Sequence, residues 1–275
     1  MKLRAGVIGW PVAHSLSPRI HRFWLAEHGI DARYEAVVVP PDWLEDAVGR
    51  FRVGGWAGFN VTAPHKEAII PLLDRVDATA QAIGAVNTVV AIGDGKFEGR
   101  NTDALGFLAS LRAERAVRTE RPAAVLGAGG AARAILAALM EAGQKEIRIA
   151  NRNRGRAEQL AETFPATVCD WDGRELMLED AGLLINTTSL GMEGQPPLEI
   201  DLKRLPVTAT VTDIVYRPLE TRLLSDARAR GNFVVDGLGM LLHQAVAGFA
   251  AWYGVTPMVT PALRTHLLAA IAHWH

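Results

Sequence analysis

Short apolar runs alternate with segments of helical periodicity near the start of the chain. The runs Arg4 to Ile8 and Tyr34 to Val39 are each followed by apolar residues at helical spacing, from about Ser17 to His28 and from Asp42 to Phe51. This alternation is typical of βαβ units and predicts an α/β region. The further elements predicted there are a strand, a helix, a hairpin and a connecting helix, at Trp56 to Val61, Pro64 to Leu73, Asn87 to Glu98 and Ala104 to Arg112.

A second alternating series begins at Ala123. The apolar run Ala123 to Leu126 is followed by glycines and by a helix from about Ala131 to Ala142. Such a series predicts a parallel sheet with helices on both faces, as in doubly wound folds. The further strands are predicted at Glu146 to Ala150, Thr167 to Cys169, Leu183 to Asn186, Thr210 to Asp213 and Asn232 to Val235.

The length of the chain agrees with this division. At roughly 150 residues per domain, a chain of 275 residues favours two domains, each with its own core. No repeat, low-complexity tract or long linker separates the two series. We therefore expect two closely packed domains with a cleft between them.

Composition restricts the partners of the protein. Its 29 basic and 30 acidic residues give a net charge of -1, which provides no field for a nucleic acid or an anionic membrane. The single cysteine, Cys169, and the lack of a signal-peptide pattern favour a cytoplasmic location. The uncharged stretch Gly237 to Leu263 is long enough to cross a bilayer, but its glycines and prolines favour buried helices instead.

A glycine-rich turn marks a candidate cofactor site. Gly127-Ala128-Gly129-Gly130-Ala131-Ala132 fits the pattern G-x-G-x-x-A, directly after a predicted strand and directly before a predicted helix. Glycines there allow backbone N–H groups to approach a pyrophosphate at the positive end of the helix. The alternative, a turn without a ligand, is less consistent with this spacing, so we expect a dinucleotide.

The end of the next strand indicates which dinucleotide is bound. Proteins that bind NAD have an Asp or Glu there, whereas this chain has Asn151-Arg152-Asn153-Arg154-Gly155-Arg156. Guanidinium groups form charge-assisted hydrogen bonds with a 2′-phosphate. Elsewhere these arginines would be read as a solvated basic loop, but at this position they predict NADP(H).

Lys66 is a candidate acid or base. Asn60-Val61-Thr62-Ala63-Pro64-His65-Lys66 leaves a strand and enters the predicted helix, whose positive end would disfavour a cation and so suit proton transfer. An exposed, uninvolved lysine is the alternative, and this segment alone favours neither. His65 is expected to be an exposed residue of the first turn.

Other polar residues have both structural and functional interpretations. Thr102 or Asp103 fits a helix cap, and Ser17-Pro18 fits a helix start, while His14 and Ser15 suggest an anion site. Asn87, Tyr216 and Gln244 need polar partners if they are buried, and a polyhydroxylated carboxylate would supply them.

Several blocks of residues form a specific pattern along nearly the whole chain. The pattern resembles the shikimate dehydrogenase family, which implies NADP-dependent reduction of 3-dehydroshikimate to shikimate on the route to chorismate and the aromatic amino acids. The blocks are His14 to Pro18, Asn60 to Thr62 with Pro64 and Lys66, Gly84 to Thr88, Asn101 to Asp103, Gly127 to Ala132, Asn151-Arg152, Asn186 with Thr188-Ser189 and Gly191-Met192, Asp213 with Tyr216 and Pro218, and Asp236-Gly237 with Met240-Leu241 and Gln244-Ala245.

The resemblance implies roles for individual residues. Lys66 and Asp103 would form the catalytic pair, with Lys66 donating a proton to the ketone oxygen as hydride arrives. The residues implied to bind substrate are Ser15, Ser17, Thr62, Asn87, Asp103, Tyr216 and Gln244. Those expected to bind the cofactor are Gly127, Ala128, Gly129, Gly130, Ala131, Asn151, Arg152, Asn153, Arg156, Thr188, Ser189, Ile214 and Gly237. No metal ion is expected.

The resemblance also implies a domain arrangement. Residues 1–102 and 238–275 would form the substrate domain, with the C-terminal helices returning to the first domain, and residues 103–237 would form a Rossmann-type NADP domain. At position 187 this sequence has Thr where the family often has Ala, and we expect this position to tolerate a small side chain.

Two other functions compete with this interpretation. A quinate or dual-substrate dehydrogenase would use a similar fold and often prefers NAD, against which the arginines argue. A silent NADP-sensing module would have lost the Lys66 and Asp103 pair or the serines, and all of these are present. A homodimer is possible, and the sequence does not decide the oligomeric state.

Overall fold

The structure is a computed structural model that describes residues 2–272, and it divides into two compact units. Unit 1 combines the chain up to Asp103 with the segment from Leu242 onward, and unit 2 is Ala104–Leu241. The predicted class, a two-domain α/β protein whose first domain is completed by C-terminal helices, is confirmed.

The elements of the N-terminal part of the chain are β1 (Arg4–Gly9), α1 (Ser17–Glu27), β2 (Arg33–Val38), α2 (Leu44–Val53), β3 (Gly58–Val61), β4 (Arg75–Val76), α3 (Ala78–Ile83), β5 (Thr88–Ala91), β6 (Phe97–Arg100) and α4 (Asp103–Ala113). They are followed by β7 (Ala123–Leu126), α5 (Gly130–Glu141), β8 (Ile147–Ala150), α6 (Arg154–Thr163), β9 (Thr167–Cys169), β10 (Leu183–Asn186), β11 (Thr210–Asp213), α7 (Arg222–Ala229), β12 (Phe233–Val235), α8 (Gly237–Tyr253) and α9 (Pro261–Ala272).

Unit 1 contains a mixed sheet. Its strand order is β2-β1-β3-β5-β6-β4, with β1 parallel to both neighbours and β5 antiparallel to β3 and β6. The hairpin β5–β6 was predicted from its glycine turn and is confirmed. Helix α2 covers one face with Leu44, Val48 and Phe51, which recur at helical spacing and pack on Phe59 and other buried strand residues.

The helix predicted from Pro64 to Leu73 is wrong. Turns occupy this segment, and only Ile70–Leu72 forms a short 3-10 helix. In an α-helix the carbonyl of Lys66 would accept from Ile70 N, but here it accepts from Val86 N at 2.8 Å, while Ile70 N bonds Glu67. The argument that placed Lys66 at the positive end of a helix therefore loses its basis.

Strand β4 and helix α3 were not predicted. Helix α3 has ordinary signals at both ends, since Asp77 accepts from Ala80 N at 2.6 Å and Gly84 ends the helix with φ 72°. Its six residues are too few to show a helical period.

Unit 2 contains a parallel sheet in the order β12-β11-β10-β7-β8-β9. If the six strands are numbered from the start of unit 2, their order is the doubly wound 3-2-1-4-5-6. The strand order reverses between β7 and β10, and sheets of this kind bind ligands at this switch point. Strands β7, β9, β10 and β11 have the predicted bounds. The core includes Leu126, Leu184, Val211 and Leu224.

The uncharged C-terminal stretch is broken, as the glycines and prolines predicted. Helix α8 ends at Tyr253 and α9 begins at Pro261. Between residues 2 and 272, the structure contains no helix with both the length and the apolar character needed to cross a membrane.

Candidate active site

Three strand ends of unit 1 meet at one edge of its sheet. The antiparallel register pairs Asn60 with Thr88, and Thr88 with Arg100. The end of β3, the start of β5 and the end of β6 therefore lie side by side. Polar residues at these ends come together although they are far apart in sequence.

Lys66 and Asp103 form an ion pair at this edge. Lys66 Nζ lies 2.5 Å from Asp103 Oδ2, and the two side chains are 17% and 7% exposed. The hydrogen bond from Val86 N to the Lys66 carbonyl holds the lysine backbone beside the start of β5. A proton donor is thus fixed next to a mostly buried carboxylate, an arrangement suited to acid–base chemistry.

The side chain of Asn101 bonds the first N–H of α4. Asn101 Oδ1 accepts from Asp103 N at 3.0 Å, and its amide donates to Ala85 O at 2.8 Å. Helix α4 begins at Asp103, so Thr102 stands at the N-cap position, one of the two predicted. The side chain of Thr102 bonds Asn87, and the Asp103 carboxylate contacts Lys66.

Asn87 connects Asp103 to the rest of the site. Its Nδ2 donates to Asp103 Oδ1 at 2.8 Å and to Thr102 Oγ1 at 3.0 Å, and its Oδ1 accepts from Thr102 N at 2.8 Å. Gln244 Oε1, from α8, lies 3.4 Å from both Asn87 Nδ2 and Thr102 Oγ1. The structure thus brings together four predicted site residues, Lys66, Asn87, Asp103 and Gln244.

The two predicted serines lie at the start of α1. Helix α1 begins at Ser17 with Pro18 in its first turn, which confirms the predicted helix start, and Leu16 occupies the N-cap position. Ser15 Oγ accepts from Ser17 N at 3.2 Å. Thr62 follows β3, with its N–H bonded to Ile8 O and its side chain partly exposed.

His65 is not the exposed residue that was expected. It is 1% exposed, and its Nε2 lies 2.7 Å from Val39 O. The histidine therefore ties the turn that carries Lys66 to the end of β2, a structural role.

The glycine-rich turn of unit 2 has the geometry expected for a dinucleotide. Gly127 follows β7 with φ 112°, and α5 begins at Gly130, with Ala128 and Gly129 between them and Ala131 in the first turn. At Gly129 nothing lies within 4 Å of where a Cβ would be. The backbone around Gly129 is thus open to a phosphate at the helix start.

The loop after β8 carries three arginines, Arg152, Arg154 and Arg156. Arg154 pairs with Glu158 at 2.8 Å and also with Asp170. Asn153 caps α6 by accepting from Arg156 N, and Asn151 Nδ2 donates to Asn153 O at 2.8 Å. Arg152 and Arg156 are exposed at this strand end. These two exposed arginines, which are the two predicted, are candidates for a 2′-phosphate.

The remaining predicted cofactor residues follow β10, β11 and β12. Asn186 and Asp213 are paired in register at the ends of β10 and β11, and Asn186 Nδ2 donates to Asp213 Oδ1 at 3.0 Å. Asn186 Oδ1 accepts from Thr188 N and Oγ1, and Asp213 Oδ1 accepts from Val215 N. This buried pair holds the loops that carry Thr188, Ser189 and Ile214. A Cβ at Gly237 would lie 2.3 Å from Ile214 O, so only glycine fits there.

Tyr216 and Thr187 lie on loops of unit 2. Tyr216 lies in unit 2, on the loop after β11 and partly exposed, and its assignment to substrate stays a prediction. Thr187 is buried and donates to Leu126 O at 2.7 Å, so the small side chain expected at this position is accommodated with its hydroxyl bonded.

Sequence reasoning assigned no role to three polar residues behind the active-site edge. Tyr34, Asn60 and Thr88 are buried and bonded to one another or to Asn87. Asn60 was noticed only as part of a motif. A buried polar residue within an otherwise apolar strand is the one signal that could have identified it.

Comparison with known proteins agrees with this geometry. Residues 7–89 match the family described as the shikimate dehydrogenase substrate binding domain, and residues 110–191 match shikimate / quinate 5-dehydrogenase. The chain is 55% identical over 269 residues to the NADP(+) shikimate dehydrogenase of Paramagnetospirillum magneticum, across 96% of this chain and 98% of that one.

Solved structures are similar over nearly the whole chain. Shikimate 5-dehydrogenase of Thermus thermophilus, in complex with NADP(H) and shikimate, has a TM-score of 0.88 at 40% identity, covering 97% of this chain and 99% of that one. Quinate dehydrogenase of Corynebacterium glutamicum, in complex with NAD, has a TM-score of 0.89 at 31% identity, covering 98% and 99%.

Proposed function

The chain belongs to the shikimate dehydrogenase family, and on that premise we propose that it catalyses the reversible NADPH-dependent reduction of 3-dehydroshikimate to shikimate. The ion pair of Lys66 with Asp103, mostly buried and joined to Asn87, is the observation that carries the proposal. The Asp103 N–H is bonded by Asn101, and the Asp103 carboxylate is directed to Lys66 and Asn87.

Lys66 is the proton donor in reduction. When bound, NADPH supplies a hydride to the carbonyl carbon, and negative charge grows on the carbonyl oxygen. The Lys66 ammonium stabilises this charge and donates its proton to the oxygen, while Asp103 holds the ammonium in place. In the oxidative direction the neutral Lys66 amine accepts the proton of the hydroxyl. Proton transfer of this kind contributes about 10² to 10⁴ in rate, and the remainder comes from orientation.

The substrate is held by hydroxyl and amide groups. Ser15 and Ser17 bind its carboxylate as hydrogen-bond donors, and the assignment of Tyr216 to the same group stays a prediction. Its hydroxyl groups bind Thr62, Asn87, Asp103 and Gln244, of which Asn87, Asp103 and Gln244 lie within one hydrogen-bonded cluster. Because Asp103 accepts from both Lys66 and Asn87, its position is determined before substrate arrives.

The cofactor is NADP(H). Its pyrophosphate binds at the start of α5, over Gly129, and its 2′-phosphate binds Arg152 and Arg156. Arg154 is ion-paired with Glu158 and Asp170. Thr188, Ser189, Ile214 and Gly237 belong to the nicotinamide end of the site.

A spectrophotometric assay of cofactor absorbance tests the proposal. Purified protein with shikimate and NADP should produce NADPH, seen as a rise in absorbance at 340 nm. Lys66→Ala should lower kcat by about 10² or more with little change in KM for shikimate. Lys145→Ala, at an exposed lysine of unit 2, is the control and should retain the wild-type rate. A Lys66→Ala variant of near wild-type turnover would exclude the proposed role.

The two competing functions have distinct outcomes. A quinate dehydrogenase would give a higher kcat/KM with quinate, or with NAD, than with shikimate and NADP, and one similar structure is a quinate dehydrogenase in complex with NAD. A sensing module would bind NADP without turnover of either substrate. We also propose that the protein works in the cytoplasm, which cell fractionation tests. The absorbance assay gives the same answer for a monomer and for a homodimer.

A further inference from the structure

Tyr34 lies in an aromatic cluster behind the active-site edge. It is 1% exposed, and its ring stacks on His21 with centroids 3.9 Å apart and planes 4° apart. Trp252 and Tyr253 of α8 also belong to the cluster. Burial raises the pKa of the Tyr34 hydroxyl well above its ordinary value, so the group is neutral and carries one proton to donate.

The orientation of the Asn60 amide decides where that proton goes. Asn60 Nδ2 lies 3.1 Å from the backbone carbonyl of Asn87, which can only accept, so this end of the amide is the nitrogen. Asn60 Oδ1 therefore faces Tyr34, and the Tyr34 hydroxyl donates to it at 2.6 Å. Both groups are buried.

The same reasoning continues toward the catalytic pair. Asn60 Nδ2 also donates to Thr88 Oγ1 at 3.1 Å, and Thr88 Oγ1 donates to Asn87 Oδ1 at 3.0 Å. Asn87 Oδ1 is identified as oxygen because the N–H of Thr102 donates to it at 2.8 Å. Asn87 Nδ2 consequently faces Asp103, which Lys66 contacts on its other oxygen.

The hydrogen bonds thus form one directed chain. It runs from Tyr34 through Asn60, Thr88 and Asn87 to Asp103, and each donor along it points toward the carboxylate. Buried chains of this kind hold their members in one arrangement, because a missing link leaves a buried group without a partner.

We propose that Tyr34 is a positioning residue for the reaction: its hydroxyl, through Asn60 and Thr88, holds the Asn87 amide so that its nitrogen contacts Asp103. This inference rests on the proposed function and deepens it. Tyr34 touches neither Lys66 nor Asp103 and acts on them only through Asn60, Thr88 and Asn87. Without the Tyr34 hydroxyl, Asn60 Oδ1 is buried and loses its donor, and the grip of Asn60 on the Asn87 carbonyl and on Thr88 weakens.

Two tyrosine variants test the proposal. Tyr34→Phe removes the hydroxyl at the head of the chain and keeps the stacked ring. Tyr253→Phe is the matched control, because it removes the same atom from the same cluster, where the Tyr253 hydroxyl donates to Arg33 O at 3.0 Å and does not reach the chain. The measurements are kcat, KM for shikimate, KM for NADP and Tm.

Tyr34→Phe should lower kcat by about tenfold, with KM for NADP unchanged, because a lost buried hydrogen bond has this size of effect. Tyr253→Phe should keep the wild-type kcat even if its Tm falls as much. Thr88→Val, which breaks the chain at its middle, should also lower kcat, and the double variant Tyr34→Phe with Thr88→Val should lose less than the product of the two single losses.

Each outcome decides the matter. A Tyr34→Phe variant within twofold of the wild-type kcat, equal losses in both tyrosine variants, or independent losses at Tyr34 and Thr88 would overturn the positioning role and leave the proposed function standing. A wild-type protein that turns over no shikimate with NADP would overturn the proposed function itself, and the positioning role with it.

Discussion

Two buried titratable side chains, one in each unit, have pKa values shifted in opposite directions. His21 is fully buried, and neither of its ring nitrogens has a hydrogen-bond partner. Asp213 is also fully buried but accepts from Asn186, Thr221 and Val215 N. Both groups make stability depend on pH, and the direction follows from which charge state burial disfavours.

His21 should make the protein sensitive to acid. Burial lowers the pKa of His21 to about 3, from an ordinary value of 6.5, so the unfolded chain takes up this proton first and stability is lost as pH falls from about 6.5 toward 3. Between pH 7.5 and pH 5 this group should cost the wild type about 2 kcal/mol of unfolding free energy. His21→Leu, measured by urea unfolding at the two pH values, should lack that loss.

The readout for His21 is the change with pH rather than the absolute stability, because altered packing shifts both pH values alike. Between pH 7.5 and pH 9, where the ring is neutral in both states, the two proteins should change in parallel. Equal losses between pH 7.5 and pH 5 would mean that the folded protein binds a proton at His21.

Asp213 should act in the opposite sense. Burial raises the pKa of Asp213 to about 6, although hydrogen bonds from Val215 N, Asn186 and Thr221 oppose the shift. The folded protein therefore holds this proton to a higher pH than the unfolded chain, and stability falls as pH rises from about 4 to about 6, by about 3 kcal/mol at most. Asp213→Asn keeps the shape of the side chain and removes the titration.

Urea unfolding of the wild type and Asp213→Asn at pH 4.5 and pH 7 checks this expectation. The variant should gain stability relative to the wild type as pH rises. A stability difference that is the same at both pH values would contradict the raised pKa.

In the turn between β7 and α5, one glycine is needed for folding and another leaves space for the cofactor. A Cβ at Gly127, where φ is 112°, would lie 2.4 Å from Thr187 Oγ1. Gly127→Ala should therefore destabilise the apoprotein, by about 1–3 kcal/mol. Gly129 has an extended backbone with φ -103° and no neighbour within 4 Å of a Cβ, so Gly129→Ala should leave the Tm of the apoprotein unchanged.

Cofactor affinity completes the comparison of the two glycines. If the pyrophosphate binds over Gly129 as proposed, a Cβ there would obstruct it, so Gly129→Ala should raise the Kd for NADPH about tenfold or more. Titration of NADPH fluorescence and thermal unfolding without cofactor measure both effects. If Gly129→Ala binds NADPH as tightly as the wild type, the pyrophosphate does not lie over this residue.

At the scale of the whole molecule, unit 1 depends on both ends of the chain. Trp252 Nε1 donates to Val89 O at 2.9 Å, Trp24 Nε1 donates to Met258 O at 3.1 Å, and Gln244 reaches Asn87. Unit 2 is continuous in sequence. The two units should therefore differ in their ability to fold alone.

The fragment 104–241 should fold and bind NADPH, whereas the fragment 1–103 should not fold, because its apolar cluster around Tyr34 lacks Phe249 and Trp252. Circular dichroism and amide NMR spectra of each fragment check this. Joining residues 1–103 to residues 242–275 through a flexible linker should restore folding of unit 1. A folded fragment 1–103 would show that the C-terminal helices are dispensable.

Most of unit 2 could be predicted from local patterns of the sequence, and the catalytic candidates from its motifs and their resemblance to a family. Strands β7, β10 and β11 are short apolar runs between turns, and the glycine motif follows β7 directly, so local pattern was sufficient. Lys66, Asp103, Asn87 and Gln244 were selected by their residue types within motifs. The resemblance also implied the pair Lys66–Asp103, but the bond between Asn87 and Gln244 could not be predicted from local pattern, because these residues lie 157 positions apart.

The hydrogen bonds that hold these groups depend on the tertiary structure. A periodic pattern suggested a helix at Lys66, but a hydrogen bond from Val86 N, on the neighbouring segment, takes the carbonyl that the helix would need. The roles of Asn101, Asn60 and Tyr34 likewise follow from donors and acceptors that the sheet register brings together. Periodicity reports which residues are buried, whereas the partner of a buried polar group depends on which strand ends lie side by side.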